Sequence, residues 1–154
     1  MGDLRHYLFR STWEIDAAPA VLYEILADVP SYPKWFPLIR EVQTRGEGKY
    51  WYRCRSLLPY DLVFDTEATV ADLEKGVLEA TMEGDLIGLS RWTITPRGDY
   101  ATVEYFEDVT TNKPLLDRLA PVAKPFFKLN HALAMQQGKR GLQSYAAGYL
   151  AAKK

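Results

Sequence analysis

Six consecutive runs with a two-residue period, followed by one long stretch with a helical period, constrain this chain more than any other feature. The runs are LIREVQTR (38–45), KYWYRCRSLL (49–58), DLVFDTEATVADL (61–73), GVLEATME (76–83), GLSRWTIT (88–95) and ATVEYFEDVT (101–110). Gly46-Glu47-Gly48, Pro59-Tyr60, Glu74-Lys75-Gly76, Asp85 to Gly88 and Pro96-Arg97-Gly98-Asp99 separate them. These residue types supply the bends of tight turns. Alternating runs joined by such short links predict an antiparallel meander.

Ahead of the meander, YLFRSTWEI (7–15) places Tyr7, Phe9, Ser11, Trp13 and Ile15 on one face of a further strand. Asp16-Ala17-Ala18-Pro19 then carries a helix start, with Pro19 suited to the first helical position, and Leu22, Ile25, Leu26 and Val29 follow at helical spacing. Pro30 stops this helix. The next stretch packs Pro30, Pro33 and Pro37 around Tyr32, Trp35 and Phe36, too short and too rigid for more than a second short helix or turn.

From Pro114 to Lys154 the helical period returns, with Leu115, Leu116, Leu119, Val122, Phe126, Leu129, Leu133, Leu142, Tyr145 and Tyr149 giving a broad apolar surface. Pro121 and Pro125 are expected to kink or divide its first part, because each lacks an amide donor. A continuous helix over 125–150 would be about 39 Å long, enough to lie across a strand of about 30 Å. The sequence therefore predicts an α+β fold: a seven-stranded curved antiparallel sheet, two short helices, and a long C-terminal helix lying across it. At 154 residues, one domain spanning 1–154 is expected.

Alternation also assigns faces. Leu62, Phe64, Thr66, Ala68 and Val70 share one side of their strand, leaving Asp65 and Glu67 solvated. The inward set is Trp13, Tyr52, Phe64, Met82, Trp92, Val103, Tyr105 and Val109. With four Trp and ten Tyr, the chain is rich in rigid apolar walls that carry polar tips, the composition of a mainly apolar pocket. The same residues also serve an ordinary filled core.

The order strand, two short helices, six strands and long C-terminal helix resembles the helix-grip (Bet v 1-like) fold of the START-like/SRPBCC superfamily, and particularly its polyketide cyclase/dehydrase and lipid-transport-like branch. The matching stretches are STWEIDAAPAVLYEILADVPSYPKWFP (11–37), LLPYDLVFDTEATV (57–70), GDLIGLSRWTITP (84–96) and NKPLLDRLAPVAKPFFKLNHALAMQQGKRGL (112–142), together most of the chain. The resemblance implies a cavity between sheet and long helix, with Tyr32, Trp35 and Phe36 on its rim. The competing reading makes Trp35 and Phe36 a staple packing the short helices on the sheet. Ligand-binding candidates are Trp13, Trp35, Phe36, Tyr52, Phe64, Met82, Trp92, Tyr105, Glu107, Phe126, Phe127 and Asn130.

Three side chains are candidates for chemistry: Glu107, Tyr105 and His131. On the alternation Val103, Tyr105, Glu107, Val109, the carboxyl points inward among apolar residues, where desolvation raises its pKa. A bulge after Tyr105 would instead release Glu107 to solvent and turn Phe106 inward. If buried, Glu107 would meet a partner such as Arg91 or a ligand hydroxyl.

Three functions follow as expectations. The first is binding or transport of a small hydrophobic ligand (lipid, polyketide-like or quinone-like), the second a polyketide cyclase/dehydratase, and the third a protein-interaction module related to quinone-binding or ribosome-associated relatives. Two histidines and one cysteine give no metal-ligand spacing, so neither metal nor other cofactor is expected. Gly138-Lys139-Arg140-Gly141 lacks the length and preceding strand of a phosphate loop, and its glycines read as allowing close approach to the sheet or marking a bend in the helix. A net charge of −1 disfavours nucleic acid as a partner. No run approaches the ~20 apolar residues of a membrane span, which argues against stable membrane insertion and for a cytoplasmic chain. Cys54, between Arg53 and Arg55, reads as a structural thiol rather than a reactive one.

Overall fold

The computed structural model describes residues 5–55 and 61–152; within the last helix, the side chains at 115–117, 119, 120, 123 and 150–152 lie outside that description. The expected second half of the 49–58 run, the Pro59-Tyr60 turn and the apolar roles of Leu115, Leu116 and Leu119 fall there.

The chain runs β1 (His6–Ile15), α1 (Pro19–Ala27), a single 3-10 turn (Val29–Ser31), α2 (Tyr32–Trp35), β2 (Ile39–Gly46), β3 (Lys49–Cys54), β4 (Leu62–Asp72), β5 (Val77–Gly84), β6 (Leu86–Arg97), β7 (Tyr100–Thr111) and α3 (Pro114–Ala152). The seven strands form one antiparallel sheet in the order β1-β7-β6-β5-β4-β3-β2, so the N-terminal strand closes one edge against the last. This is an α+β, helix-grip-like arrangement. Pro19 opens α1 with Ala18 at its N-cap, and the helix ends two residues before Val29-Pro30.

β1 follows its alternation: Tyr7, Phe9, Trp13 and Ile15 are buried. β4 follows it for half its length. Leu62, Phe64 and Thr66 are buried, but the register slips between Ala68 and Val70, and both of these residues are exposed. An extra residue at a bulge turns the strand, so a face assigned by counting in twos does not hold beyond it.

α3 is one helix of 39 residues, roughly 58 Å long at ~1.5 Å per residue, and neither Pro121 nor Pro125 divides it. Both prolines are exposed. On that side, water can solvate carbonyls that lose an amide partner, and the remaining hydrogen bonds hold the helix together.

The second half of α3 seats on α1 and α2 through small residues. A Cβ on Gly138 would come within 2.9 Å of the Phe36 ring, and one on Gly141 would overlap the Trp35 carbonyl oxygen. Gly138 thus approaches the sheet as well, at the Trp13 ring of β1, which its Cβ would meet at 3.1 Å, while Gly141 approaches α2. Leu142 and Ala146 of the same helix are fully buried in the core. Gly148 has open space where its Cβ would be. Gly148→Ala is therefore expected to stabilise the protein by about 0.5–1 kcal/mol through helix propensity alone, which urea denaturation will read directly.

Candidate functional site

A pocket of about 90 Å³ lies between the buried face of the sheet and α3. β3, β4 and β5 contribute Tyr52, Phe64 and Met82; β6 and β7 contribute Trp92, Tyr105 and Glu107; α3 contributes Phe127, Asn130, His131 and Met135. Tyr32 of α2 and Phe36 just after it also line the pocket, as does Arg55, which is exposed.

Three of the sequence candidates are placed elsewhere. Trp13 is on the predicted face, but its ring is covered by Phe36 at 6.3 Å and Trp92 at 5.4 Å, and it does not reach the pocket. Trp35 is buried in the staple arrangement: it stacks on Phe36 at 5.2 Å, meets Tyr32 edge-on, and sits beneath Gly141 of α3. Phe126 is 61% exposed on the outer side of α3, while its neighbour Phe127 points inward. Adjacent helical residues are ~100° apart, so only one of two such rings can face the sheet.

The sequence reading missed Leu38, Ile39, Leu62 and Leu86 at the pocket wall, and Thr66 and Ser90 on neighbouring strands. The signal for Leu62 and Thr66 was present, since both share the inward side with Phe64. Ser90, two residues before Trp92 on β6, was recoverable from the same alternation.

Glu107 occupies the inward register. β7 pairs with β1 and β6 without a slip, Ser90 lies opposite Glu107, and Phe106 turns to the other face, where the Arg10 and Arg91 guanidinium groups cover its ring. Arg91 is not the partner of Glu107: it donates two hydrogen bonds to Glu79 on the outer face. The partner is Tyr105, whose hydroxyl donates to the Glu107 carboxylate at 2.5 Å. Burial raises the Glu107 pKa to about 7, and the tyrosine hydrogen bond only partly offsets it. The Tyr105 hydroxyl is pushed well up by burial and by the neighbouring carboxylate. Near neutral pH the site therefore holds a carboxyl close to half-protonated beside a tyrosine that keeps its proton.

His131 lies face-on to Phe9, ring centroids 3.7 Å apart, and burial lowers its pKa to about 4. It is a neutral imidazole at physiological pH. Its stability contribution has a definite sign: the unfolded histidine takes up a proton near 6.5 and the folded one only near 4, so stability falls as pH drops through that window. His131→Phe should remove this loss, giving a melting temperature less sensitive to acidification between pH 6.5 and 4 than that of the parent. A parallel pH dependence in parent and variant would show His131 to be solvated.

Cys54 is buried at the pocket wall, and burial, then the nearby Glu107, raises its thiol pKa. Arg53 does not activate it, being bonded to Glu41 and Asp61. The described residues contain no group of three or more metal-ligating side chains, and no described helix is long and apolar enough to cross a membrane.

Beside the pocket is a cleft of about 230 Å³ beneath the end of α1, reaching Val29, Leu78 and Ala80. Tyr32, Tyr52, Thr66, Ser90 and Trp92 line both spaces and form a partition between them. Tyr32 is held there by its hydroxyl, which donates to the Leu26 carbonyl at 2.5 Å, and it meets Tyr52 edge-on.

The fold has close parallels among solved structures. A protein from Thermus thermophilus superimposes with a TM-score of 0.77 at 14% identity, covering 93% of this chain and 99% of its own. The ZhuI aromatase/cyclase from a Streptomyces species gives 0.71 at 14% identity, covering 92% and 94%. A START superfamily protein from Mycobacterium smegmatis gives 0.68 at 17% identity, covering 92% and 98%. At these identities the likeness is one of fold. No curated protein is significantly similar in sequence. The family model for polyketide cyclase / dehydrase and lipid transport matches residues 8–146, nearly the whole chain. The chain belongs to that family.

Proposed function

We propose that the protein binds and carries a small hydrophobic molecule, of lipid, polyketide-like or quinone-like chemistry, in a cavity that the sheet and α3 enclose. The observation that carries this reading is the Tyr105–Glu107 pair, with Asn130 and His131 across from it, buried in an aromatic pocket at a stability cost that a filled core would not need. Apolar walls supply affinity, and the few polar groups orient the ligand's polar end.

The pocket alone is too small for such a ligand, since ligand sites run from roughly 300 Å³ upward. Joined to the adjacent cleft it reaches that range. Binding then requires the Tyr32–Tyr52–Trp92 partition to swing, which breaks the hydrogen bond from Tyr32 to the Leu26 carbonyl and the side-chain hydrogen bonds that join Tyr32 to Trp92 and Tyr52 to Thr66. Burying about 300 Å² of apolar ligand would contribute roughly 7 kcal/mol before association costs.

Fluorescence titration with the neutral apolar probe N-phenyl-1-naphthylamine tests this. Saturable one-to-one binding in the micromolar range is expected, weakened tenfold or more in Ala80→Phe, which fills the cleft. Non-saturable binding, or equal binding by the variant, would refute the joined-cavity reading.

The Glu107–Tyr105 geometry favours one second reading, acid–base catalysis of a cyclase/dehydratase type. A carboxyl with a pKa of about 7 can both take and return a proton near neutrality. On this reading Glu107→Gln retains probe binding but loses turnover of a polyketide-like substrate; on the carrier reading it retains binding and there is no turnover to lose.

A further inference from the structure

α3 buries one side and shows solvent another that is just as apolar. Val122, Phe126, Leu129 and Leu133 are 71%, 61%, 57% and 52% exposed. Their spacing of four, three and four residues aligns them in one stripe on the outer side of the helix, away from Phe127 and Met135. Four large exposed side chains in a row are unusual on a soluble surface and mark a place that is covered in use.

The charge around the stripe indicates what covers it. The same three-and-four spacing continued outward reaches Arg118 at one end and Arg140 at the other, both exposed. Over its whole length α3 carries five basic residues and one acidic one, whereas residues 1–113 carry twelve basic and nineteen acidic. The near-zero net charge of the chain hides a cationic helix on an anionic body. An apolar stripe with cationic ends is the pattern of a helix that lies in the plane of a lipid headgroup layer. Two copies packing stripe to stripe in antiparallel fashion would bring Arg118 of each towards the Arg140 end of the other, opposing like charges.

We propose that the outer face of α3, Val122, Phe126, Leu129 and Leu133 bracketed by Arg118 and Arg140, docks on an anionic lipid membrane. Because α3 is also a wall of the pocket, docking would place the proposed cavity beside a source of apolar molecules. The surface itself uses none of the pocket residues, so it stands or falls separately from the carrier reading.

The test is cosedimentation of the full-length protein with vesicles of phosphatidylcholine alone or with 30% phosphatidylglycerol. Binding to the anionic vesicles is expected to exceed that to neutral ones by tenfold or more, and to fall when salt is raised from 50 to 500 mM. Phe126→Glu and Leu129→Glu, solvent-facing changes that leave the far-ultraviolet spectrum and N-phenyl-1-naphthylamine binding intact, should each reduce vesicle binding at least tenfold. Absence of vesicle binding, or binding unaffected by both variants, would overturn the proposal. So would a dimer in sedimentation velocity that the same variants dissolve, since the stripe would then belong to a second copy.

Discussion

Glu107→Gln is expected to make the protein more stable at pH 8, by on the order of 3 kcal/mol, and to leave it unchanged near pH 4. The folded carboxyl titrates at about 7 and the unfolded one near 4.5, so between these values the native state holds more protons than the unfolded state. Stability from this group is fully present below pH 4.5 and is lost as pH rises through 7. Glutamine has the same shape, still accepts the Tyr105 hydrogen bond, and never ionises. Chemical denaturation of both proteins at pH 4, 6 and 8 measures the difference. A variant that is less stable than the parent at pH 8 would mean that a cation neutralises the carboxylate, contrary to the geometry around it. Because His131 acts in the opposite direction between pH 6.5 and 4, the parent should show a shallow profile there, and Glu107→Gln should unmask the acid-side loss.

Gly141→Ala should destabilise the protein by about 3 kcal/mol or more. Helix propensity alone predicts the reverse sign, a gain of about 1 kcal/mol. The sign is decided by what the new methyl group meets: the carbonyl oxygen of Trp35, a backbone atom that no side-chain rotation can move aside. To admit the methyl, α3 must lift from α2, which exposes Leu142 and loosens the packing of Trp35 and Phe36. Gly148→Ala, seven residues further along the same helix with open space around it, is the control. A gain in both variants would show that α3 does not seat on α2 as described.

These two residues also show how much was legible in the sequence. The inward register of Glu107 followed from alternation, because β7 pairs with both neighbours without a bulge; β4 did contain one, and the assignment of Ala68 and Val70 to the buried side failed there. Strand order survived because turn residues separate the runs, but β6 extends past its expected ends, with Gly88, Pro96 and Arg97 paired inside the strand. Which helical aromatic faces in is harder. Phe126 and Phe127 are neighbours of equal hydrophobicity, and the choice depends on the rotation of a helix set by packing far away in sequence. Gly141 pointed to a close approach, but not to α2 as its object. The partner of Glu107 was also illegible: Arg91 is near the site by register but on the opposite face, while Tyr105 was in view as a neighbour rather than as a hydrogen-bond donor. The pocket's small size is a matter of side-chain rotamers around Tyr32, Tyr52 and Trp92, about which periodicity says nothing.

The central claim is that sheet and helix hold an apolar molecule in one joined cavity. Native mass spectrometry of the purified protein, before and after incubation with an organic extract of total lipids, tests it most directly. The account predicts a one-to-one adduct of a single apolar species, recovered by extraction and missing from Ala80→Phe. A parent that remains at its bare polypeptide mass after incubation, indistinguishable from Ala80→Phe, would contradict it.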